Sequence, residues 1–239
     1  MSIEPDRRPN GPALNRRALK PLLAVAALLV ASAPALAVKP FTADYNANYM
    51  GLQGNGTMTL AASGSDRWIY TLSIRSSLAQ ATQSTVFEDH DGHWRPLSGN
   101  DSTVLLIKKK NKSASYDWGR GEARWSGDVK PDRSGPVKLQ AGDLDAMLVN
   151  LAIPRDIAAG KALNYRMVDD GRVKAMSYQV AGKETVNIGG KTQQATKVSR
   201  TDGNKQTIVW VVDGLPVPAR ILQRKDGKDE VDLQLKSVR

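Results

Sequence analysis

From residue 41 onward the sequence alternates apolar and polar side chains with a period of two. Short turns rich in Gly, Asp and Ser interrupt the alternation. Phe41, Ala43, Tyr45, Ala47 and Tyr49 form the first such run. Gly51 and Gly54 then mark a turn, and Thr57–Ala61 reads as the return strand. After the polar turn 63–66, the alternation resumes at Trp68, Tyr70, Leu72 and Ile74. A period of two puts successive side chains on opposite faces of a strand, so one face can meet a core while the other meets water. Strand-and-turn units continue through residues 83–87, 94–97, 102–108, 113–118 and 123–125. They resume as hairpins over 163–180, 185–199 and 217–238, with Gln206–Val212 between the last two. The turns Asp169-Asp170-Gly171, Gly189-Gly190 and Asp226-Gly227 are typical of tight hairpins.

One segment breaks this rhythm. Leu144, Met147, Leu148 and Leu151 fall at i, i+3, i+4 and i+7, the stripe of an amphipathic helix over about 143–152. Asp143 is a competent N-cap, and Pro154 is expected to end the run. The helix needs an apolar partner, and the inner face of the sheet is the large one on offer. The expected fold is therefore mainly β: a curved antiparallel sheet or unclosed β-barrel, with the helix against its concave face. The segments after residue 37 are separated by turns rather than low-complexity linkers, so 38–239 reads as a single domain.

The first 37 residues have a different character. Arg7, Arg8, Arg16, Arg17 and Lys20 precede an apolar run from Leu22 to Val30, then Pro34 and the small-residue site Ala35-Leu36-Ala37. This order predicts a secretory signal peptide, residues 1–37, cleaved after Ala37. The apolar run is short of the roughly 20 residues that span a bilayer. Asn15-Arg16-Arg17-Ala18-Leu19-Lys20 loosely resembles a twin-arginine signal. No cofactor motif accompanies it, so general secretion to the periplasm is the expected route. The sequence contains no cysteine, which closes disulfides, thiolate metal sites, thiol catalysis and lipoprotein acylation together. Stability in an oxidising compartment then rests on core burial alone.

The formal charge is +10, and residues 38–239 carry +7 of it, because the first 37 hold five basic and two acidic side chains. A basic surface favours anionic partners. With export, lipid headgroups and acidic glycans are expected ahead of nucleic acid. Lys108-Lys109-Lys110-Asn111-Lys112 concentrates this charge in what reads as an exposed hairpin tip, and Lys108, Lys109, Lys110 and Lys112 are candidate contacts to an anionic surface. Such contacts contribute roughly 1 kcal/mol per lysine near an acidic bilayer. The same lysines would also guard a sheet edge against aggregation.

Several reaction classes are excluded by their motifs. There is no Gly-x-Ser-x-Gly elbow and no Ser-x-x-Lys. Gly190-Lys191-Thr192 has the end of a phosphate loop, but Thr185 occupies the earlier glycine position and the context is a strand pair. Gly119 and Gly121 do not extend to a dinucleotide fingerprint, because position 124 is Arg. Both histidines lie in Glu88-Asp89-His90-Asp91-Gly92-His93. Imidazole and carboxylate together can bind zinc or transfer protons. Asp91-Gly92 is, however, a strong turn signal, so these side chains are expected to be solvated and separately oriented, with no metal site. The pairs Asp143/Asp145 and Asp169/Asp170 are better explained by a helix cap and a turn than as catalytic carboxylates.

Phe41-x-Ala43-x-Tyr45 with Gly51 and Gly56, the Gly92-x-x-x-Pro96 turn, Asp143-Leu144-Asp145, Tyr178-x-Val180-x-Gly182-x-Glu184-x-Val186 and the late Trp210 with Leu215-Pro216 occur in an order that resembles the DUF3108 family of exported bacterial proteins. That resemblance implies an envelope location and a β-rich fold, and no catalytic residues. The closing stretch from Val209-Trp210 through Arg220-Ile221-Leu222 to Asp226-Gly227-Lys228 is also similar to the last strands of Lol-type periplasmic lipoprotein carriers. Those carriers fold as unclosed barrels plugged by helices.

Three functions are consistent with this sequence. The first is a non-enzymatic binding protein that holds an apolar or amphiphilic ligand, a lipid or lipoprotein, on a face lined by Tyr45, Trp68, Tyr70, Leu72 and Ile74, without a cofactor. Those side chains present more apolar surface than one short helix can cover, and uncovered apolar surface of several hundred Å² usually marks a binding site. The second is a structural or interaction module for other envelope proteins, with peripheral membrane contact at most. The third is a metal-assisted hydrolase using His90 and His93. The processing step has its own test: N-terminal sequencing of the exported protein should read from Val38, and a mature chain beginning at Met1 or Arg16 would contradict cleavage after Ala37.

Overall fold

The computed structural model describes residues 39–239. The stretch assigned to the signal peptide, 1–37, lies outside the described residues. The first half of the chain is a meander of β1 (Phe41–Tyr49), β2 (Leu52–Ala62), β3 (Arg67–Ser76), β4 (Ala79–His90), β5 (His93–Leu105), β6 (Lys108–Asp117), β7 (Glu122–Gly127) and the short β8 (Val137–Lys138). Helix α1 (Ala146–Ala158) follows, then β9 (Asn164–Asp169), β10 (Arg172–Ser177), β11 (Gln179–Ile188), β12 (Lys191–Asp202), β13 (Lys205–Val211), β14 (Arg220–Lys225) and β15 (Lys228–Val238). Thirteen strands join in one sheet, ordered β11-β12-β13-β14-β15-β1-β2-β3-β4-β5-β6-β7-β8, while β9 and β10 form a separate hairpin. The end strands β11 and β8 do not pair with each other, so the sheet curves without closing into a barrel.

Local chemistry accounts for most of this. In β1 the alternate residues Phe41, Ala43, Tyr45 and Ala47 are buried, as their period requires. The Asp91-Gly92, Asp170-Gly171 and Asp226-Gly227 turns each place both residues at positive φ, for example 53° and 78° at Asp91 and Gly92. That conformation matches the twist of a two-residue hairpin and favours Asp followed by Gly. Register shifts fall at Asp44/Tyr45, Val86/Phe87, Gln223/Arg224 and Val180/Gly182. An extra residue on one strand increases local twist, so these shifts help bend the sheet around its contents.

Two elements fill the concave side. In α1, Met147, Leu148, Val149, Leu151, Ala152, Ile153 and Pro154 are all buried. A helix apolar nearly all round is enclosed rather than laid on a surface. The sheet covers one side of it, and the β9–β10 hairpin packs beside it, tied by backbone hydrogen bonds between Leu144 and Arg166 and between Val168 and Leu144. Val168 belongs to a smaller apolar cluster with Tyr116, Ala123, Trp125 and Leu139.

The helix departs from the sequence expectation at both ends. Its N-cap is Asp145, whose side chain accepts a hydrogen bond from Leu148 N–H at 2.8 Å. Asp143 is instead engaged by Arg166 Nη1 at 2.6 Å and by Gln140 N–H at 2.7 Å, so its carboxylate is already used. At the other end the helix runs through Pro154 to Ala158. Proline removes one helical donor, but residues on both sides of it are packed into the core. Tertiary burial, rather than intrinsic propensity, decides most helix boundaries of this kind. The strand expected over 173–180 is also divided. It breaks at Tyr178, where the chain leaves the small hairpin and enters the edge of the large sheet.

Leu148 is fully buried between the sheet and the hairpin. Leu148→Ala should therefore lower the unfolding free energy by about 2–5 kcal/mol, the usual range for deleting a core leucine. Urea denaturation of the two proteins checks this, and an unchanged midpoint would show that α1 does not seal the core.

Candidate functional site

The concave face is not completely filled. A cavity of about 380 Å³ remains between the first turns of α1 and the sheet. Tyr70, Leu72 and Ile74 of β3 form one wall, with Leu52 and Met58 of β2 beside them. Ile221 of β14 and Val231 and Leu233 of β15 form the opposite wall. Ala146, Met147 and Asn150 of α1 lie at its inner end. The polar groups are few and uncharged: Ser76, Gln80, Gln83, Thr103, Asn150 and Gln223. The volume and the apolar walls with scattered polar groups are those of a small-molecule pocket.

Strand register explains how these residues meet. Met58 pairs with Leu72 and Gly54 with Ser76 across β2 and β3. Ile221 pairs with Leu233 and Gln223 with Val231 across β14 and β15. The two groups come together because β15 pairs with β1, as Val231 does with Tyr49, setting the first and last strands side by side. The cavity opens at the end of the sheet that carries the β1–β2, β3–β4 and β5–β6 turns, since Tyr49, Leu52, Ser76, Ala79 and Leu105 all border it.

Of the five apolar side chains singled out in the sequence, Tyr70, Leu72 and Ile74 are on the cavity wall. Tyr45 and Trp68 point to the same concave face but do not border the cavity. Tyr45 is completely buried, and its hydroxyl donates to the Pro218 carbonyl at 2.8 Å. Trp68 sits toward the far end of β3, partly buried against the main core. The sequence reading missed Met58, Met147, Ile221, Val231 and Leu233. Alternation in β14 and β15 marks the last three as inward-facing, but only the β1–β15 pairing sets them opposite β3.

The lysine run also differs from its expected form. The turn between β5 and β6 is Leu106-Ile107, and Lys108 is already the first residue of β6. Lys108, Lys109 and Lys110 are exposed. Lys112 is not free for an outside partner: its ammonium lies 3.2 Å from Asp101 and 3.4 Å from Asp170. Burial opposes its charge, but Asp101 and Asp170 outweigh this and hold its pKa above the ordinary value. His90 and His93 pair across the β4–β5 turn and are both exposed, His90 with its Nε2 3.6 Å from Asp91. They stand at the end of the sheet opposite the cavity mouth. Among the described residues, no group of three or more His, Cys, Asp or Glu side chains is placed to hold a metal ion.

A second, smaller pocket of about 50 Å³ lies beside the helix N-terminus, bordered by Thr85, Asp101, Lys112, Trp125, Asp145 and Asp169. Its size suits a few water molecules at about 10–15 Å³ each. Asp145 is buried here, accepting from the Thr85 hydroxyl as well as from Leu148 N–H. Burial pushes its pKa up to about 7, against the opposing pull of those two donors, and the nearby Asp169 adds to the rise. Asp169 is itself raised, chiefly by burial. Trp125 Nε1 is buried with no acceptor among the described residues.

The comparisons with known proteins bear on the family and the fold. The family model described as "Protein of unknown function (DUF3108)" matches residues 44–234. The chain therefore belongs to the DUF3108 family, a family of unknown function. No curated protein matches the chain. Among solved structures, the β-barrel-like protein of domain of unknown function DUF1849 from Brucella abortus aligns over 84% of this chain and 97% of its own, with 12% identity and a TM-score of 0.52. That likeness supports the β-barrel-like fold. MucB aligns over 84% of this chain and 52% of its own, with 7% identity and a TM-score of 0.30, too slight a likeness to carry an argument.

The raised pKa of Asp145 has a consequence for stability. Between its unfolded value near 3.8 and about 7, the folded chain holds a proton that the unfolded chain has released. Stability contributed at this site is present below that window and is lost as the pH rises through it. Asp145→Asn removes the titration and keeps a cap acceptor. Relative to the native protein, the variant should gain at least about 1.4 kcal/mol between about pH 4 and about pH 8, the equivalent of one pKa unit. Urea titrations at both pH values measure this, and a constant difference between the two proteins would contradict it.

Proposed function

We propose that this protein is exported to the bacterial envelope and there holds the apolar portion of a small amphiphile in the cavity between its sheet and α1. The observation that carries the reading is the cavity itself: about 380 Å³ walled by Met58, Tyr70, Leu72, Ile74, Ile221 and Leu233. Cores normally pack with few voids larger than a water molecule. A space this large and this apolar costs stability when empty and is favourable to fill with a methylene chain, at about 0.8 kcal/mol for each CH₂ buried. The uncharged polar groups Ser76 and Thr103 stand toward the mouth, where a polar headgroup would meet water. The N-terminal sequence features supply the export half of the reading. Nothing in the cavity offers a nucleophile with a base beside it, so binding is favoured over catalysis, and His90 and His93 are too far from the cavity to act on its contents.

The test is a titration with an environment-sensitive fluorescent fatty acid. The native protein should give a saturable signal. Leu72→Trp combined with Met147→Trp, which fills the cavity from both sides, should weaken binding at least tenfold, a loss of about 1.4 kcal/mol. Absence of saturation with native protein, or equal affinity in the filled variant, would overturn the reading.

A further inference from the structure

Six of the eight large hydrophobic side chains that stand exposed among the described residues are Tyr49, Met50, Leu78, Leu105, Leu106 and Ile107. They are scattered over almost 60 residues of sequence, yet the meander carries all of them to one end of the sheet. Met50 occupies the β1–β2 turn, Leu78 the β3–β4 turn, and Leu106 and Ile107 the β5–β6 turn. The last two turns are joined by a hydrogen bond from Leu106 N–H to the Leu78 carbonyl at 2.9 Å. Ile107 is 96% exposed.

Turn geometry does not account for these residues. Met50 and Leu106 sit at φ 50° and 55°, in the left-handed region. At the equivalent place three other tight turns carry Asp91, Asp170 and Asp226, and the β11–β12 turn carries Gly189. Asp and Asn tolerate this conformation better than bulky apolar residues do. Nor does core packing account for them, since they face solvent. An exposed apolar cluster of this kind on a soluble face marks an interaction surface.

The charge beside it identifies the partner. Lys108, Lys109 and Lys110 follow directly after Ile107 and are exposed. Lys108 pairs with Leu105, and Lys110 with Thr103, two residues that border the cavity, so these two lysines share its face of the sheet. On the β14–β15 side of the same end, next to Met50, Lys225 and Lys228 are offset by Asp226, Asp229 and Glu230, so the excess positive charge lies at the β5–β6 tip. Separate apolar turn tips, one of them followed directly by three exposed lysines, match a layered partner, anionic at its surface and hydrocarbon beneath.

We propose that this rim docks the protein on an anionic lipid bilayer, with Met50, Leu78, Leu106 and Ile107 entering the interface and Lys108–Lys110 meeting the phosphates. Docked in this way, the protein presents the mouth of its cavity to the membrane. The docking contacts stand independently of what fills the cavity, because Met50, Leu78, Leu106, Ile107 and Lys108–Lys110 are exposed and none of them lines it, although Tyr49 and Leu105 of the same rim do.

Sedimentation with vesicles of phosphatidylglycerol and phosphatidylethanolamine tests the proposal, with phosphatidylcholine vesicles as the uncharged comparison. All proteins carry the same N-terminus, so any contribution from it cancels between native and variant. Native protein should sediment with the anionic vesicles and less with phosphatidylcholine, and the difference should shrink in high salt, as screening requires. Leu106→Asp with Ile107→Asp, and separately Lys108→Glu with Lys109→Glu and Lys110→Glu, should each lower partitioning at least tenfold. Both variants should keep the native unfolding midpoint and the native affinity for the fluorescent fatty acid measured without vesicles. Failure of the fatty-acid titration alone would remove the cavity reading and leave docking in place. Equal partitioning of native and variant proteins, or equal binding to both vesicle types, would overturn docking. So would loss of self-association in the Leu106/Ile107 variant without any loss of vesicle binding, which would make the rim an interface between copies of the chain.

Discussion

The concave face of an open thirteen-stranded sheet has to be kept from water, and among the described residues one α-helix and one hairpin cover it. That constraint organises the molecule. Alternation in β1 to β5 and β12 to β15 delivers apolar side chains to one face, and the register shifts bend that face around α1. The helix is buried nearly all round because it is surrounded, which is also why it can pass through Pro154. Where the helix and hairpin stop, the face continues toward the turn end of the sheet, and the cavity is the part left uncovered.

The polar groups inside the fold follow from the same enclosure. Capping the buried N-terminus of α1 requires an acceptor, and Asp145 supplies it at the cost of burying a carboxyl group. Thr85 on β4 satisfies one of its oxygens, and Lys112 balances Asp101 and Asp170 close by. This polar pocket fixes the start of the helix against the sheet. The apolar cavity lies on the other side of Met147, which borders both. A shift of the helix start would therefore alter both spaces together.

Much of the fold was legible in the residues. The first strand, the meander through β7, the Asp-Gly turns and the existence of one helix all follow from period and turn chemistry. The errors fall where a distant residue competes for a local one. Asp143 looks like a cap until Arg166, on β9, takes its carboxylate. Pro154 looks like a stop until the packing around Ile153 outweighs one lost hydrogen bond. Lys108 to Lys112 look like a tip because charged residues favour turns, yet the tip is Leu106-Ile107, an arrangement that turn propensity disfavours. The candidate wall was legible only on β3, since a strand's alternation reports which side chains face inward and says nothing of what stands across from them.

The sequence by itself determined that the described residues are built mainly of antiparallel strands with one α-helix, that the chain has no thiol chemistry, and that its family is DUF3108, because periodicity, composition and motif order are properties of neighbouring residues. Tertiary structure alone decided that β15 lies against β1, and hence that Ile221 and Leu233 face Leu72 across an unfilled space. It also decided that Met50, Leu78 and Ile107 share one rim. These are facts of long-range pairing, fixed by the mutual register of strands as far apart in sequence as Asp44 and Ser237, and no local pattern encodes them.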